Sequence, residues 1–207
     1  NDCLPHAKVF IVIREQRSMI RSRYAQYLKA RGSYGIEEYL VPKGAKHFRF
    51  DLLKYHKLIK YYLDLFGESN VLVLPYELLV ADPYVFISQF LNFLGLQDTQ
   101  ILEKIKLHMI LNKSHTPTQL KIKRYFNPFI LSNFQNTGNT FYMHSAVLIY
   151  KIIHHVFNYL PTAPLDKRIN ERIPNTINLH TNNRYNESNK ITSNLIGFRL
   201  KDFGYMT

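Results

Sequence analysis

The sequence predicts an α/β protein, a three-layer core with a mostly parallel sheet flanked by helices and a helix-rich C-terminal half. Three observations carry that expectation. Two short apolar runs, Lys8 to Ile13 and Val71 to Leu74, are rich in β-branched residues and too short to be helices, as buried strands are. Each is followed by segments whose apolar residues recur at helical spacing. Strands that alternate with helices build parallel sheets, whose ligands lie beyond the carboxyl ends of the strands.

The first strand ends abruptly at Arg14, and from about Ser18 the residues Ile20, Tyr24, Tyr27 and Leu28 mark a helix, so the unit is strand, tight turn, helix. Ser18 and Ser22 share a helix face, as do Arg17 and Arg21, and no acidic residue lies between Arg17 and Arg31. A positive turn entering a helix N-terminus, with hydroxyls on its first turns, is a physical recipe for holding a phosphate group. The alternative is that Arg14 pairs with a carboxylate such as Glu77 and Ser22 faces solvent.

Gly32 and Gly35 then punctuate a turn, and a loop from Tyr34 to Lys46 carries a short helical piece around Ile36 to Leu40. Leu52 to Phe66 is an amphipathic helix ended by Gly67. Pro75, which has no N–H for a ladder, closes the second strand. Asp82 is a good N-cap, Pro83 suits the first helical position, and Phe86, Phe90, Phe93 and Leu94 make one face before Gly95 stops the helix. Gln97 to Asn112 reads as helical and is followed by a basic segment with Lys113, Lys121, Lys123 and Arg124. Phe129 to Tyr142 is Asn-rich and is expected to be an irregular flap, whereas Ser145 to Leu160 is an apolar helix. That helix is interrupted by charge and falls short of the roughly 20 residues of a membrane span, so no transmembrane segment is expected. Pro161 to Asn183 reads as a long polar loop or arm, and a last helix reaches Leu195 before Leu200 to Tyr205.

Composition bounds the function. With 207 residues, 46% of them hydrophobic, one domain spanning 1–207 is expected. Lys and Arg outnumber Asp and Glu by 27 to 15, and the resulting +12 favours an anionic partner. The basic residues are dispersed and no nucleic-acid-binding motif occurs, which disfavours nucleic acid. A single Cys, Cys3, excludes an internal disulfide framework and a Cys-based zinc site and fits a reducing, cytoplasmic setting. His154 and His155 are adjacent and cannot share a helix face, which argues against a two-ligand metal site there. The chain opens without Met, reaches a strand by Lys8 and contains no G-x-x-x-x-G-K-[ST] loop, so it reads as the continuation of a longer protein.

An Arg that ends a strand, with a Ser eight residues later in the following helix, here Arg14 and Ser22, resembles the 3′-phosphate-binding motif of sulfotransferases that use 3′-phosphoadenosine 5′-phosphosulfate (PAPS). The words LPHAKVFIVIREQRSMI and YAQYLKARG are similar to the bacterial and glycan-type branch of that family. The strand ending in Tyr76-Glu77 with Asp82-Pro83 beyond it, the Asn112-Lys113-Ser114 segment and the closing Gly204-Tyr205 extend the resemblance from Leu4 to Tyr205.

The resemblance implies a P-loop-like core and transfer of a sulfuryl group from PAPS, with PAP as product, to an acceptor hydroxyl or amine, a carbohydrate's among them. It also implies that Arg14 and Ser22 hold the 3′-phosphate and that Tyr76 lies beside the adenine, and it makes Lys113, Lys121, Lys123 and Arg124 candidates to close over the nucleotide's phosphates or meet an anionic acceptor, the alternative being a basic surface helix. In the family a loop gripping the 5′-phosphosulfate precedes the strand that ends here at Arg14, so the resemblance implies that this loop was lost or lies elsewhere. No general base is identified. A reading of another class is a non-catalytic basic protein for nucleic acid or a polyanionic glycan, since 15 Tyr and 27 basic residues permit stacking and phosphate contacts.

Overall fold

The structure, a computed structural model, describes residues 7–41, 48–96, 116–136 and 163–207. Strand β1 (Val9–Ile13) leads into helix α1 (Gln16–Lys29), followed by α2 (Ile36–Leu40), a 3₁₀ turn at Phe50–Leu53 and α3 (Tyr55–Phe66). Strand β2 (Val71–Pro75) precedes α4 (Tyr76–Ala81) and α5 (Pro83–Leu94). The remaining described helices are α6 (Pro117–Asn136), α7 (Ala163–Thr181) and α8 (Asn186–Ile196), with a 3₁₀ turn at Leu200–Phe203. The protein is therefore mixed α/β and rich in helix, and the expected parallel pairing is present. Among the described residues the sheet has two strands, paired from Val9 opposite Val71 to Ile13 opposite Pro75. Pro75 sits inside the second strand as its last residue, a terminal position where a missing N–H is tolerated.

Side-chain alternation explains how the strands sit. Ile13 is 1% exposed whereas its neighbour Val12 is 43% exposed, as a half-buried strand requires. Leu74, Leu78 and Phe86 form a core cluster with Phe10, Leu72, Ile87, Phe198 and Phe203 packed against it. The helices that flank it start and stop where local chemistry says. Asp82 Oδ1 accepts from the Val85 N–H at 3.0 Å, Pro83 occupies the first turn, and Gly95 closes α5 at φ 78°, a left-handed conformation that suits glycine.

The chain divides into two compact units. The first comprises Asn1–Met19, Arg49–Leu111 and Thr181–Thr207, and the second Ile20–Phe48 and Asn112–His180. In the second, Tyr27 stacks near Tyr24 and Tyr34, and its hydroxyl accepts the N–H groups of Ser33 and Tyr34, both at 3.1 Å. Asn127, buried in α6, donates its amide to the carbonyls of Leu28 at 3.0 Å and Gly32 at 2.6 Å, which satisfies the C-terminal end of α1.

Two expectations are corrected. Residues 129–136 continue α6 where an irregular flap was expected, and α7 occupies most of 161–183, expected as a loop or arm. The Asn and Pro content of both stretches masks their period. In α7, Leu165, Ile169, Ile173 and Ile177 recur every four residues, a single helical stripe, and Ile177 is 1% exposed. Pro174 inside α7 and Pro128 inside α6 each remove one backbone donor without ending the helix. The helices expected at Gln97–Asn112 and Ser145–Leu160, and the remainder of the flap, lie outside the described residues. Among the described residues no helix is long and apolar enough to cross a membrane.

Candidate functional site

The strand register sets the site. Because Ile13 lies opposite Pro75, the next residue on each chain segment, Arg14 and Tyr76, emerges at the same carboxyl end of the sheet. The Arg14 guanidinium carbon lies 4.8 Å from the centroid of the Tyr76 ring, a cation–π contact. Tyr76 is 36% exposed and Arg14 half-buried. Arg14 Nε is buried and has no hydrogen-bond partner among the described residues.

The backbone beneath this pair is held from two directions. The Tyr55 hydroxyl donates to the carbonyl of Arg14 at 2.6 Å, and the Glu15 N–H donates to Glu77 Oε1 at 2.9 Å. These two groups belong to one peptide unit, so the plane that follows Arg14 is clamped on both edges. Glu77 is held in turn, since its Oε2 accepts the Tyr205 hydroxyl at 3.0 Å. Burial pushes both phenols well above the ordinary tyrosine value, helped in Tyr205 by the adjacent Glu77 carboxylate, so each stays protonated as a donor. Glu77 therefore binds backbone and a phenol, and no carboxylate among the described residues forms an ion pair with Arg14.

The tail that carries Tyr205 is tied down nearby. Arg17 Nη2 donates to the Gly204 carbonyl at 3.2 Å, and Asn189 Nδ2 donates to the Met206 carbonyl at 2.7 Å. The buried amides of Gln16 and Asn189 also bond each other, at 2.6 and 3.2 Å.

The helix start differs from the turn free of acids that the sequence suggests. Two of the donors at the start of α1 are already engaged, because the Glu15 carboxylate accepts the N–H groups of Arg17 at 3.0 Å and Ser18 at 2.8 Å and also pairs with Arg17 Nε at 2.9 Å. An acid just before a helix fills the orphan donors and complements the dipole. What remains at this end of the sheet is the Arg14 fork and the Tyr76 face, suited to an oxyanion beside a planar ring.

Of the residues singled out from sequence, Arg14 and Tyr76 come together in the first unit. Ser22 lies in the second turn of α1, half-buried, in the second unit, as do Lys121, Lys123 and Arg124 on α6. Lys113 falls outside the described residues. Tyr55, Glu15 and Tyr205 were not foreseen as parts of the site. Glu77 was considered for the guanidinium and instead holds the backbone. Among the described residues no group of three His, Cys, Asp or Glu is placed to hold a metal ion.

A protein-family model described as the sulfotransferase domain matches residues 3–163, a span that includes β1, Arg14, Ser22, β2 and Tyr76. No curated protein and no solved structure matches the chain. The match covers well over half of the 207 residues, and the chain belongs to the sulfotransferase-domain family.

Proposed function

We propose that this protein transfers a sulfuryl group from PAPS to an acceptor hydroxyl or amine, a carbohydrate's among them. The fold assigned with it is a three-layer, P-loop-like core to which β1 and β2 contribute two strands. One observation carries the nucleotide half of the reading: Arg14 Nε is buried without a partner while its guanidinium lies over Tyr76. A buried donor left without an acceptor costs on the order of 1–3 kcal/mol, a cost that an incoming oxyanion removes.

In this reading Arg14 presents its planar fork to the 3′-phosphate, and the clamp on its peptide fixes the direction of that fork. The exposed face of Tyr76 stacks beside the adenine, and the Ser22 hydroxyl adds a donor to the same phosphate. Membership of the family supports these roles, as does the engagement of Glu77 elsewhere, which leaves Arg14 without an ion-pair partner among the described residues. PAPS, when bound, supplies an activated sulfuryl group whose transfer resembles phosphoryl transfer and rests on positioning and charge stabilisation.

Calorimetric titration with adenosine 3′,5′-bisphosphate, against 5′-AMP as the analogue without the 3′-phosphate, tests the assignment. Clear preference for the bisphosphate is expected. Equal affinities with steep salt dependence would favour a basic polyanion-binding protein instead.

A further inference from the structure

The second compact unit contains a cleft of about 250 Å³ bordered by α1, α2, α6 and α7. Its walls include the apolar side chains of Leu28, Ile36, Leu120 and Ile173, and its polar lining comes from Tyr24, Glu37, Lys121, Arg124 and Arg172. The charges do not cancel. Glu37 is the carboxylate at the cleft among the described residues, and its Oε1 accepts Arg172 Nε at 3.3 Å, Arg172 Nη2 at 3.1 Å and Thr176 Oγ1 at 3.4 Å. Burial raises the Glu37 carboxyl, but its backbone hydrogen bond and these partners outweigh that and hold it below the ordinary value, so Glu37 and Arg172 form a neutral pair.

Lys121 and Arg124 are left over. They stand three residues apart on α6, hence on neighbouring parts of one helix face, and neither forms an ion pair with a carboxylate among the described residues. Tyr24 adds no negative charge. Burial pushes its phenol up to about 12 in spite of the Arg124 guanidinium beside it, and its neutral hydroxyl donates to the Tyr34 carbonyl at 3.1 Å. Two cations without an ion-pair partner among the described residues thus border an apolar hollow. Its volume lies just under the range of about 300–1,000 Å³ usual for drug-sized ligands and suits a single ring with one substituent.

We propose that this cleft binds a small organic anion, a single sulfate or carboxylate group on an apolar ring. Lys121 and Arg124 take the anionic group, and Leu28, Ile36, Leu120 and Ile173 enclose the ring. The proposal does not rest on the nucleotide assignment, because none of Arg14, Ser22 and Tyr76 is among the residues that line the cleft.

Titration of the full chain with phenyl sulfate, benzoate and neutral phenol, followed through the ¹³C methyl resonances of Ile36 and Ile173, tests it. Phenyl sulfate or benzoate should shift both methyl groups, with phenol at least tenfold weaker. The Lys121→Gln, Arg124→Gln double variant should lose at least tenfold in affinity for the anions but not for phenol. Saturating adenosine 3′,5′-bisphosphate should leave the titration unchanged. Failure of both anions to shift these methyls would overturn the proposal, as would equal binding of phenol, undiminished binding by the double variant or displacement by the bisphosphate. Lys121 is exposed, so Lys121→Gln alone keeps the test valid if the double variant does not fold, with a loss of at least threefold expected and an unchanged affinity decisive against the proposal.

Discussion

The hydroxyl of Tyr205 donates to Glu77 across 128 residues of chain, and the other oxygen of that carboxylate takes the N–H that follows Arg14. A phenol near the C-terminal end of the sequence thereby acts on the geometry of an arginine at the end of the first strand.

Tyr205→Phe removes the donor and leaves a part-buried carboxylate oxygen short of a partner. A loss of about 1–3 kcal/mol in stability is expected, read from urea unfolding, with an unchanged m-value. Binding of adenosine 3′,5′-bisphosphate should weaken by a few-fold, since Glu77 keeps its backbone contact but loses its support.

Tyr55→Phe acts on the other edge of the same peptide and should cost about 0.5–1.5 kcal/mol, the net worth of one hydrogen bond. Because Tyr55 and Tyr205 hold one peptide unit, their effects should not add. A double-mutant cycle is expected to give a coupling of about 0.5–3 kcal/mol, whereas strict additivity would mean that the two supports work separately.

Arg14→Ala should weaken bisphosphate binding by about 1.5–3 kcal/mol, the range for hydrogen bonds to charged groups, and leave 5′-AMP binding much less affected. Arg14→Lys keeps the charge but loses the planar fork and much of the contact with Tyr76, so it should recover only part of the loss. Calorimetry on the three proteins decides, and a lysine variant equal to wild type would point to charge alone.

Asn127→Ala removes a buried amide that serves one carbonyl in the last turn of α1 and one in the turn that follows it. A destabilisation of about 1–3 kcal/mol is expected from the unpaired acceptors, read as a lower midpoint in thermal or urea unfolding.

His56 should make the protein sensitive to mild acid. Its Nδ1 lies 2.7 Å from Ser188 Oγ, and burial, followed by the neighbouring Lys57, holds its pKa below the ordinary 6.5. The unfolded chain therefore takes up a proton before the folded one, so the contribution is intact above about pH 6.5 and is lost as pH falls through that value toward the lower folded pKa. His56→Gln should flatten this limb, measured as the change in unfolding free energy between about pH 7.5 and 5.5.

The parts of the molecule legible in the sequence are those fixed locally. Asp82, Pro83 and Gly95 carry their own start and stop signals, and α5 lies between them. Arg14 and Tyr76 stood out because each follows a short apolar run. Helix α7 escaped because its Asn and Pro residues argue for a loop, while the four-residue stripe that decides the matter is narrow. The cap on α1 escaped for a different reason. The run from Arg17 to Arg31 is free of acids, but the acid that matters, Glu15, stands one residue before the helix. The clamp on Arg14 was illegible in principle, since nothing local to Tyr55, Glu77 or Tyr205 says that they meet.

The matched sulfotransferase stretch ends at residue 163, whereas the first compact unit draws its third segment from Thr181–Thr207. Homology and foldability thus draw different borders. A recombinant fragment trimmed to the shared stretch would retain Arg14, Tyr76 and Glu77 yet forfeit Tyr205, and with it Asn189, the partner of Gln16. Such a fragment would keep the family's signature residues while losing the scaffold that aims them, and an inactive excised domain would say nothing about the activity of the longer chain.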